Sequence, residues 1–122
     1  SLVMIIAQRL ARKSCPFCRE EKSYPKQTFQ ALELDYERYR DKKYYAGVGC
    51  PNCNGTGYKG RIGLYEIMVI DDDLRDLIAK GANTTVLMDK AIENGMRTLR
   101  AQALRKAEIG DLTLEEVLRV TM

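Results

Sequence analysis

The fold of this chain is decided by two stretches, CPFC at residues 15–18 and GCPNCNGTGYKGRIGLYEIMVI at residues 49–70. Each stretch contains one Cys-x-x-Cys pair, and the chain has no other cysteine and no histidine. The second stretch continues into an apolar run that is rich in aliphatic and β-branched residues, and acidic residues follow it directly. This pattern predicts a β-strand over residues 60–70, immediately after a cysteine motif.

A second apolar run, at residues 3–12, is typical of a strand or of a helix that runs into a strand. We expect this run to pair antiparallel with residues 60–70, so that the cysteine region forms a long excursion between the two. The later run is apolar at both odd and even positions, which is usual for a strand that is buried on both faces. The pair is therefore expected inside a larger packed structure.

The sequence after residue 70 is helical in pattern throughout. Apolar residues recur at helical spacing in four short segments, and glycines stand where three of them would end, at Gly81, Gly95 and Gly110. The last segment has the best local signature, because Thr113 and Glu116 have the spacing of a capping box. These signals predict a helical unit of four short helices.

We therefore predict an α+β fold, in which a small antiparallel strand pair carries a four-cysteine zinc subdomain as an insertion and is followed by a four-helix unit. The predicted segments are a strand at residues 1–14, the tetracysteine subdomain at 15–58, the returning strand at 59–70 and the helical unit at 71–122. If these units are independent, Cys50→Ser should disorder residues 15–58 and leave the later helices mostly intact.

The composition is that of a globular protein. The chain has 122 residues, of which 45% are hydrophobic and 30% charged, and its net charge of +3 is too small to indicate nucleic-acid binding by itself. The longest apolar run, residues 2–7, is far shorter than the ~20 residues of a membrane-spanning helix, and no signal peptide is recognisable. We expect a cytoplasmic protein in a reducing environment, and, since the sequence starts inside an apolar run, a piece of a longer one.

The four cysteines, Cys15, Cys18, Cys50 and Cys53, are the candidate metal ligands. A Cys-x-x-Cys turn lets two thiolates chelate one metal ion, and two such turns supply the four ligands of a tetrahedral Zn²⁺ site. Pro16 and Pro51 favour the turns, and glycines at 55 and 57 follow the second pair where the backbone has to bend. A site closed by four cysteines leaves no open position for a reacting water, so the zinc would be structural.

Three other chemistries use the same residues. A disulfide framework requires an oxidising compartment, which nothing in the sequence indicates. A redox Cys-x-x-Cys normally begins a helix, whereas glycines follow the second pair here. An iron–sulfur cluster also accepts four thiolates, so the identity of the ligands alone does not distinguish it from zinc. We favour zinc.

Several charged and aromatic residues remain to be explained. We expect Glu66, an acid within an apolar strand, to pair with Arg9 or Arg12 across the strand pair, since buried charges are usually paired. Two interpretations of Arg61 remain: it is either a solvated surface residue or a charge at a subunit interface. Tyrosines interleave with basic residues between the two cysteine pairs, and we interpret them as core residues of a small subdomain. The alternative is a free-standing zinc-ribbon module that stacks on single-stranded nucleic acid. This cluster comprises Tyr36, Arg38, Tyr39, Arg40, Lys42, Lys43, Tyr44 and Tyr45.

Three motifs in order, IIAQRLARKSCPFC, GVGCPNCNGTGYKGRIGLYEIM and AIENGMRTLRAQALRKAEIGDLTLEEVLRVT, closely resemble the C-terminal part of the traffic ATPases that power type II secretion and type IV pilus assembly. The resemblance covers nearly the whole chain and matches its four cysteines to the family's zinc ligands. It implies a ring-forming homohexamer with a RecA-like ATPase core, of which residues 1–14 are an end strand. It also implies a cytoplasmic protein, peripheral at the inner membrane, whose zinc subdomain contacts the inner-membrane platform or adjoining machinery.

This chain contains no Gly-x-x-x-x-Gly-Lys-Ser/Thr string, whose backbone amides would cradle the phosphates of ATP. We therefore expect no ATP hydrolysis by the fragment alone, with ATP and Mg²⁺ bound in a core outside it. The predicted function is the zinc-binding, partner-binding portion of a secretion or pilus-assembly ATPase. It would couple ATP hydrolysis in that core to protein secretion or pilus extension.

Overall fold

The computed structural model describes residues 2–122, and two long antiparallel strands organise it. Strand β1 (Leu2–Ser14) pairs with strand β4 (Tyr58–Ile70), so that the start of β1 lies opposite the end of β4. The register shifts twice, and the second shift lies next to the cysteine region, between Arg12 and Ser14. The predicted antiparallel pairing is confirmed, and with it the α+β class.

The excursion between β1 and β4 is a small unit of short elements. A second two-stranded antiparallel sheet holds it together, with helices in the connection between its strands. The chain passes in order through β2 (Arg19–Glu21), α1 (Lys26–Ala31), α2 (Tyr36–Tyr39), β3 (Tyr45–Gly47) and a single 3₁₀ turn (Pro51–Cys53). Both cysteine pairs lie at the end of this unit nearest to the long strands, where the chain leaves β1 and enters β4.

Four helices follow β4, as predicted: α3 (Asp72–Ala79), α4 (Thr84–Glu93), α5 (Leu99–Glu108) and α6 (Leu114–Thr121). Gly81, Gly95 and Gly110 have positive φ angles just after the first three helices, which is the left-handed conformation that ends many helices. No helix in the described range is long and apolar enough to cross a membrane.

The predicted capping box at the start of α6 is only half present. The Thr113 hydroxyl accepts the Glu116 backbone N–H at 3.0 Å, but the Glu116 carboxylate does not return to the backbone of Thr113. Glu116 is fully buried, and β1 offers it better donors: the Arg12 backbone N–H at 2.8 Å and the Arg12 guanidinium at 2.6 Å. Arg119 adds a third donor group. The carboxylate therefore ties β1 to α6 instead of capping its own helix.

Two hydrophobic cores lie on the covered side of the strands. The larger core joins one end of the strand pair to the excursion and to helices α5 and α6; it contains Ala11, Phe29, Leu32, Tyr44, Leu64, Leu99, Ala103, Leu104, Ala107, Leu112, Leu114, Val117 and Val120. The smaller core fixes α3 and α4 to the other end of β4 and contains Met68, Ile70, Leu74 and Ala91. The predicted division into four segments stays a prediction, but segments 15–58 and 71–122 share the larger core.

The expectation that β4 is buried on both faces is wrong for the described residues. Met68 and Ile70 are buried beneath α3 and α4, whereas Tyr65, Ile67 and Val69, on the opposite face, are exposed. The reason is that α3 and α4 pack on the face that carries Met68 and Ile70, whereas no described residue covers the opposite face. One apolar face of the long strand pair is therefore left uncovered by residues 2–122.

The predicted pairing of Glu66 with an arginine is also wrong. Its carboxylate accepts the backbone N–H of Leu99 at 2.9 Å, which is one of the unpaired donors at the start of α5. A carboxylate there is also favoured by the helix dipole. Arg12 is engaged by Glu116 instead, so the acid in the strand stabilises a helix end rather than a strand pair.

Candidate metal centre

The structure brings all four predicted ligands to one place. The four Sγ atoms lie within 4.8 Å of one another, and no disulfide joins any of them. Three pairs are in contact: Cys15 with Cys50 at 3.8 Å, Cys18 with Cys53 at 3.8 Å, and Cys50 with Cys53 at 3.7 Å. A tetrahedron with corners about 2.3 Å from its centre, the zinc–sulfur distance, has edges of about 3.8 Å. Three of the six Sγ–Sγ distances therefore match a tetrahedral thiolate site, and the other three are at most 4.8 Å.

Backbone N–H groups point at the sulfurs, as the turn geometry predicts. Gly49 donates to Cys18 Sγ at 3.4 Å, while Cys50 and Gly57 both donate to Cys53 Sγ at 3.2 Å. Such donors orient a ligand and stabilise the negative charge of a thiolate. The donor set therefore suits deprotonated sulfurs around a cation.

The pKa values of two thiols reflect these donors. Burial raises the pKa of Cys18 to about 12, although the Gly49 N–H acts in the opposite direction. Burial also acts to raise the pKa of Cys53, but hydrogen bonds from Gly57 and Cys50 outweigh it and lower the value to about 6. Several thiolates cannot share so small a space without a counter-charge, and a bound cation supplies one.

Glycines make the second cysteine turn possible by letting two backbone segments touch. Gly57 has a φ of +80°, and a Cβ added there would lie 2.5 Å from the carbonyl oxygen of Gly47. The close approach lets Cys15 N–H donate to Gly57 O at 2.9 Å, which joins the two cysteine turns. The bends at Gly55 and Gly57 were predicted, whereas the role of Gly47 was not. The only signal for it was its position in AGVGC, just before the second pair.

The excursion that bears the cysteines is held against the turn between α5 and α6. The Arg19 guanidinium donates to Gly110 O at 2.8 Å. Further along, Glu115 of α6 accepts from Lys22 at 2.6 Å and from the Tyr24 hydroxyl at 2.5 Å. None of these contacts was visible in the sequence, because each joins residues more than 90 positions apart.

Three of the tyrosines between the cysteine pairs, Tyr36, Tyr39 and Tyr44, pack in or against the larger core, as our interpretation expects, whereas Tyr45 belongs to neither core. Tyr44 is buried in the larger core, where its ring lies 5.8 Å from that of Phe29. Tyr36 packs on the other side of Phe29 at 5.4 Å in an edge-on arrangement. The buried Tyr44 ring is therefore not free to stack on a base. Arg61 is exposed and forms no ion pair within residues 2–122.

Comparison with known proteins gives matches over almost the whole chain. The sequence model of a family described as "Type II/IV secretion system protein" matches residues 1–119. Among curated relatives, a "Type IV pilus assembly ATPase TfpB" of Acinetobacter baylyi is 43% identical over 98% of this chain. A "Type IV pilus assembly ATPase PilB" of Thermus thermophilus is 39% identical over 100% of it, and a "Type II secretion system protein E" of Aeromonas hydrophila is 37% identical over 99%.

These relatives are several times longer than the present chain. It spans 20% of the Acinetobacter protein, 14% of the Thermus protein and 24% of the Aeromonas protein. Most of each relative therefore has no counterpart in this chain of 122 residues.

Proposed function

This chain belongs to the family of type II/IV secretion system proteins, and on that premise we propose that its four cysteines hold one structural zinc ion. The sulfur cluster is the observation that carries this proposal: all four Sγ atoms lie within 4.8 Å of one another, and three of the six distances between them are 3.7–3.8 Å. The bound ion would supply a closed cross-link between the end of β1, the start of β2 and the turn before β4. It would leave no coordination position for a substrate.

The proposal extends to the protein of which this chain is a part. We infer that ATP is hydrolysed elsewhere in that protein and that the present segment transmits the resulting motion to the machinery of secretion or pilus assembly. The names of the relatives support this, since the two pilus-assembly relatives are named ATPases and the third is named a type II secretion system protein. The described segment contributes one packed block, because the excursion, through Phe29, Leu32 and Tyr44, shares a core with α5 and α6.

The uncovered strand face supports the same inference. Val3, Ile5, Ile67 and Val69 are all large, apolar and exposed, and they lie on one face because Val3 pairs with Val69 and Ile5 with Ile67. A monomeric protein rarely exposes so continuous an apolar face. We propose that the ATPase core packs on this face in the whole protein. Strands β1 and β4 would then connect that core mechanically to the metal block, by which we mean the cysteine excursion (residues 15–57) together with α5 and α6.

The zinc proposal is tested by elemental analysis of the chain purified without added metal. The expected result is about one zinc ion per chain, removable by a strong chelator with loss of order in the cysteine region. Titration of free thiols should find all four cysteines reduced. Iron in place of zinc, or cysteines already joined in disulfides, would overturn the assignment.

The coupling proposal is tested in a relative. The matching fifth of the Acinetobacter pilus ATPase is replaced by this chain, once unchanged and once with Cys50→Ser and Cys53→Ser together. The unchanged chimera should assemble pili, and the cysteine variant should retain nucleotide binding but assemble none. A cysteine variant that assembles pili normally contradicts the coupling role without touching the zinc assignment.

A further inference from the structure

A groove of about 410 Å³ runs between α3 and α4, away from the metal centre. One stripe of each helix forms its walls, because the lining residues recur at spacings of three and four, which place side chains on one helical face. The lining comprises Asp73, Asp76 and Leu77 from α3, and Val86, Asp89, Lys90 and Glu93 from α4. At a rise of about 1.5 Å per residue, the lining extends over about 6 Å of α3 and about 10 Å of α4.

The groove carries negative charge that the described chain does not neutralise. Four of its lining residues are acids and one is a lysine, although the chain as a whole has a net charge of +3. Lys90 pairs with Glu93 at 3.4 Å, and Asp73 accepts a hydrogen bond from Asn94 at 3.0 Å. The carboxylates of Asp76 and Asp89 form no ion pair and accept no hydrogen bond within residues 2–122.

Apolar side chains lie between these acids. Leu77 is half-buried and packs against the smaller core, whereas Val86 is 42% exposed and belongs to neither core. The fold therefore does not require the valine at this position. An aliphatic surface flanked by unpaired carboxylates is suited to a segment with both apolar and cationic side chains.

We propose that this groove binds a lysine- or arginine-rich amphipathic segment of a partner protein. One apolar side chain of the segment covers Val86, and its cations face Asp76 and Asp89. Charge complementarity selects this occupant, since an acidic segment would be repelled and a purely apolar one would desolvate the carboxylates without pairing them. The groove uses a different core and different residues from the zinc site, so the proposal is independent of the metal.

The test uses a synthetic helical peptide of about 15 residues, made of lysine, leucine and alanine with its leucines on one face. Its binding to the whole 122-residue chain is followed by NMR chemical shifts in about 0.15 M salt, where exposed charges are partly screened. We expect shifts confined to α3 and α4. Asp76→Asn with Asp89→Asn should weaken binding about tenfold, since exposed charge pairs each contribute up to about 1 kcal/mol. Val86→Ala should weaken it less.

A matched control has the same change in charge elsewhere. Glu37→Gln with Asp41→Asn removes two exposed acids from the cysteine excursion and should leave the affinity within about twofold. An equal loss in both double variants would identify the interaction as non-specific. The proposal is also contradicted if a peptide of the same composition without the leucine face binds equally well. Self-association of the chain through α3 and α4, detected by sedimentation without peptide, would make a second copy the occupant instead.

Discussion

The metal block and the α3–α4 hairpin are built on opposite plans. The metal block combines the cysteine loops with α5 and α6 around the larger core, and many contacts join residues far apart in sequence. The α3–α4 hairpin contributes two buried residues, Leu74 and Ala91, to the smaller core, which it shares with Met68 and Ile70 of the preceding strand β4. A unit with many long-range contacts unfolds cooperatively, whereas a locally packed hairpin can unfold on its own. We therefore expect the metal to control the stability of the first region and not of the second.

The largest expected effect follows loss of a ligand. Cys53→Ser removes one corner of the thiolate cluster and the acceptor of two backbone N–H groups. We expect the cysteine region to lose order and α5 and α6 to lose protection with it, at a cost of several kcal/mol. Hydrogen exchange should at the same time find α3 and α4 still protected. This replaces the expectation from sequence that the helices after residue 70 would stay mostly intact on loss of Cys50, because the excursion and α5–α6 share one core.

The control for this experiment is Phe17→Ala. Phe17 lies between the first two cysteines but is exposed, so its replacement should leave both metal content and exchange unchanged. If Cys53→Ser exposes α3 and α4 as strongly as α5 and α6, the two regions are one cooperative unit and the contrast between them is wrong.

The next effect compares core truncations in the two regions. Phe29→Ala empties a fully buried position in the larger core and should lower the free energy of unfolding by about 3–5 kcal/mol. Leu74→Ala in the smaller core should cost about 2–5 kcal/mol locally but leave zinc content and α5–α6 protection intact. Chemical denaturation with exchange readout distinguishes them: Phe29→Ala should free zinc at lower denaturant, and Leu74→Ala should not. Early zinc release in both variants contradicts the contrast.

The third effect is the pH dependence of the tie between β1 and α6. Burial acts to raise the pKa of Glu116, but hydrogen bonds from Arg119 and Arg12 outweigh it and lower the value to about 2. Because the folded value lies below the unfolded one, about 4.3, the carboxylate stabilises the fold fully above that pH. This contribution is lost as the pH falls toward 2. Glu116→Gln should therefore cost roughly 3 kcal/mol at about pH 7.

The measurement is the difference in unfolding free energy between the parent chain and Glu116→Gln at a series of pH values. The difference should shrink below about pH 4, where the parent begins to lose its own carboxylate contribution. Acid also releases metal, but it does so in both proteins and leaves the difference unaffected. A gap that stays constant from neutral pH down to about pH 3 would show that Glu116 acts by packing and not by charge.

The smallest effect separates two glycines with similar backbone angles. Gly57 and Gly81 have φ angles of +80° and +75°, so alanine is strained at both by about 1–2 kcal/mol. At Gly57 the new Cβ also meets the backbone of Gly47, whereas Gly81 has open space around it. Gly57→Ala should therefore reduce zinc affinity measurably, and Gly81→Ala should only lower the stability of α3. Equal zinc affinity in the two variants would rule out a role for the Gly47 contact.

The local features of this protein were predictable because they depend on nearby residues. Strand β4, the four later helices and their glycine ends follow from apolar spacing and turn residues, and the structure confirms them. The spacing of two Cys-x-x-Cys turns likewise predicted that four sulfurs would come together. The strand and helices depend on interactions within a few residues. The cysteine cluster depends on the need of a metal ion for soft ligands, which only cysteine can supply in a chain without histidine.

The predictions that failed concern partners distant in sequence. Glu66 was assigned to an arginine but caps α5, and Glu116 was assigned to its own helix but binds Arg12 of β1. A carboxylate takes whichever donors the packing brings nearest, and those donors are set by the assembled cores. The same reason hid the contact between Gly47 and Gly57.

The sequence by itself determined the two long strands, the antiparallel return of β4 to β1, the four later helices and the four cysteines that come together. Only the tertiary structure decided which helices share a core with the cysteine loops, which face of β4 stays uncovered and where the acids of α3 and α4 meet. The physical reason is range: propensity, capping and chelate spacing act between neighbours along the chain. Burial and charge pairing act between neighbours in space, which the chain acquires only when it is folded.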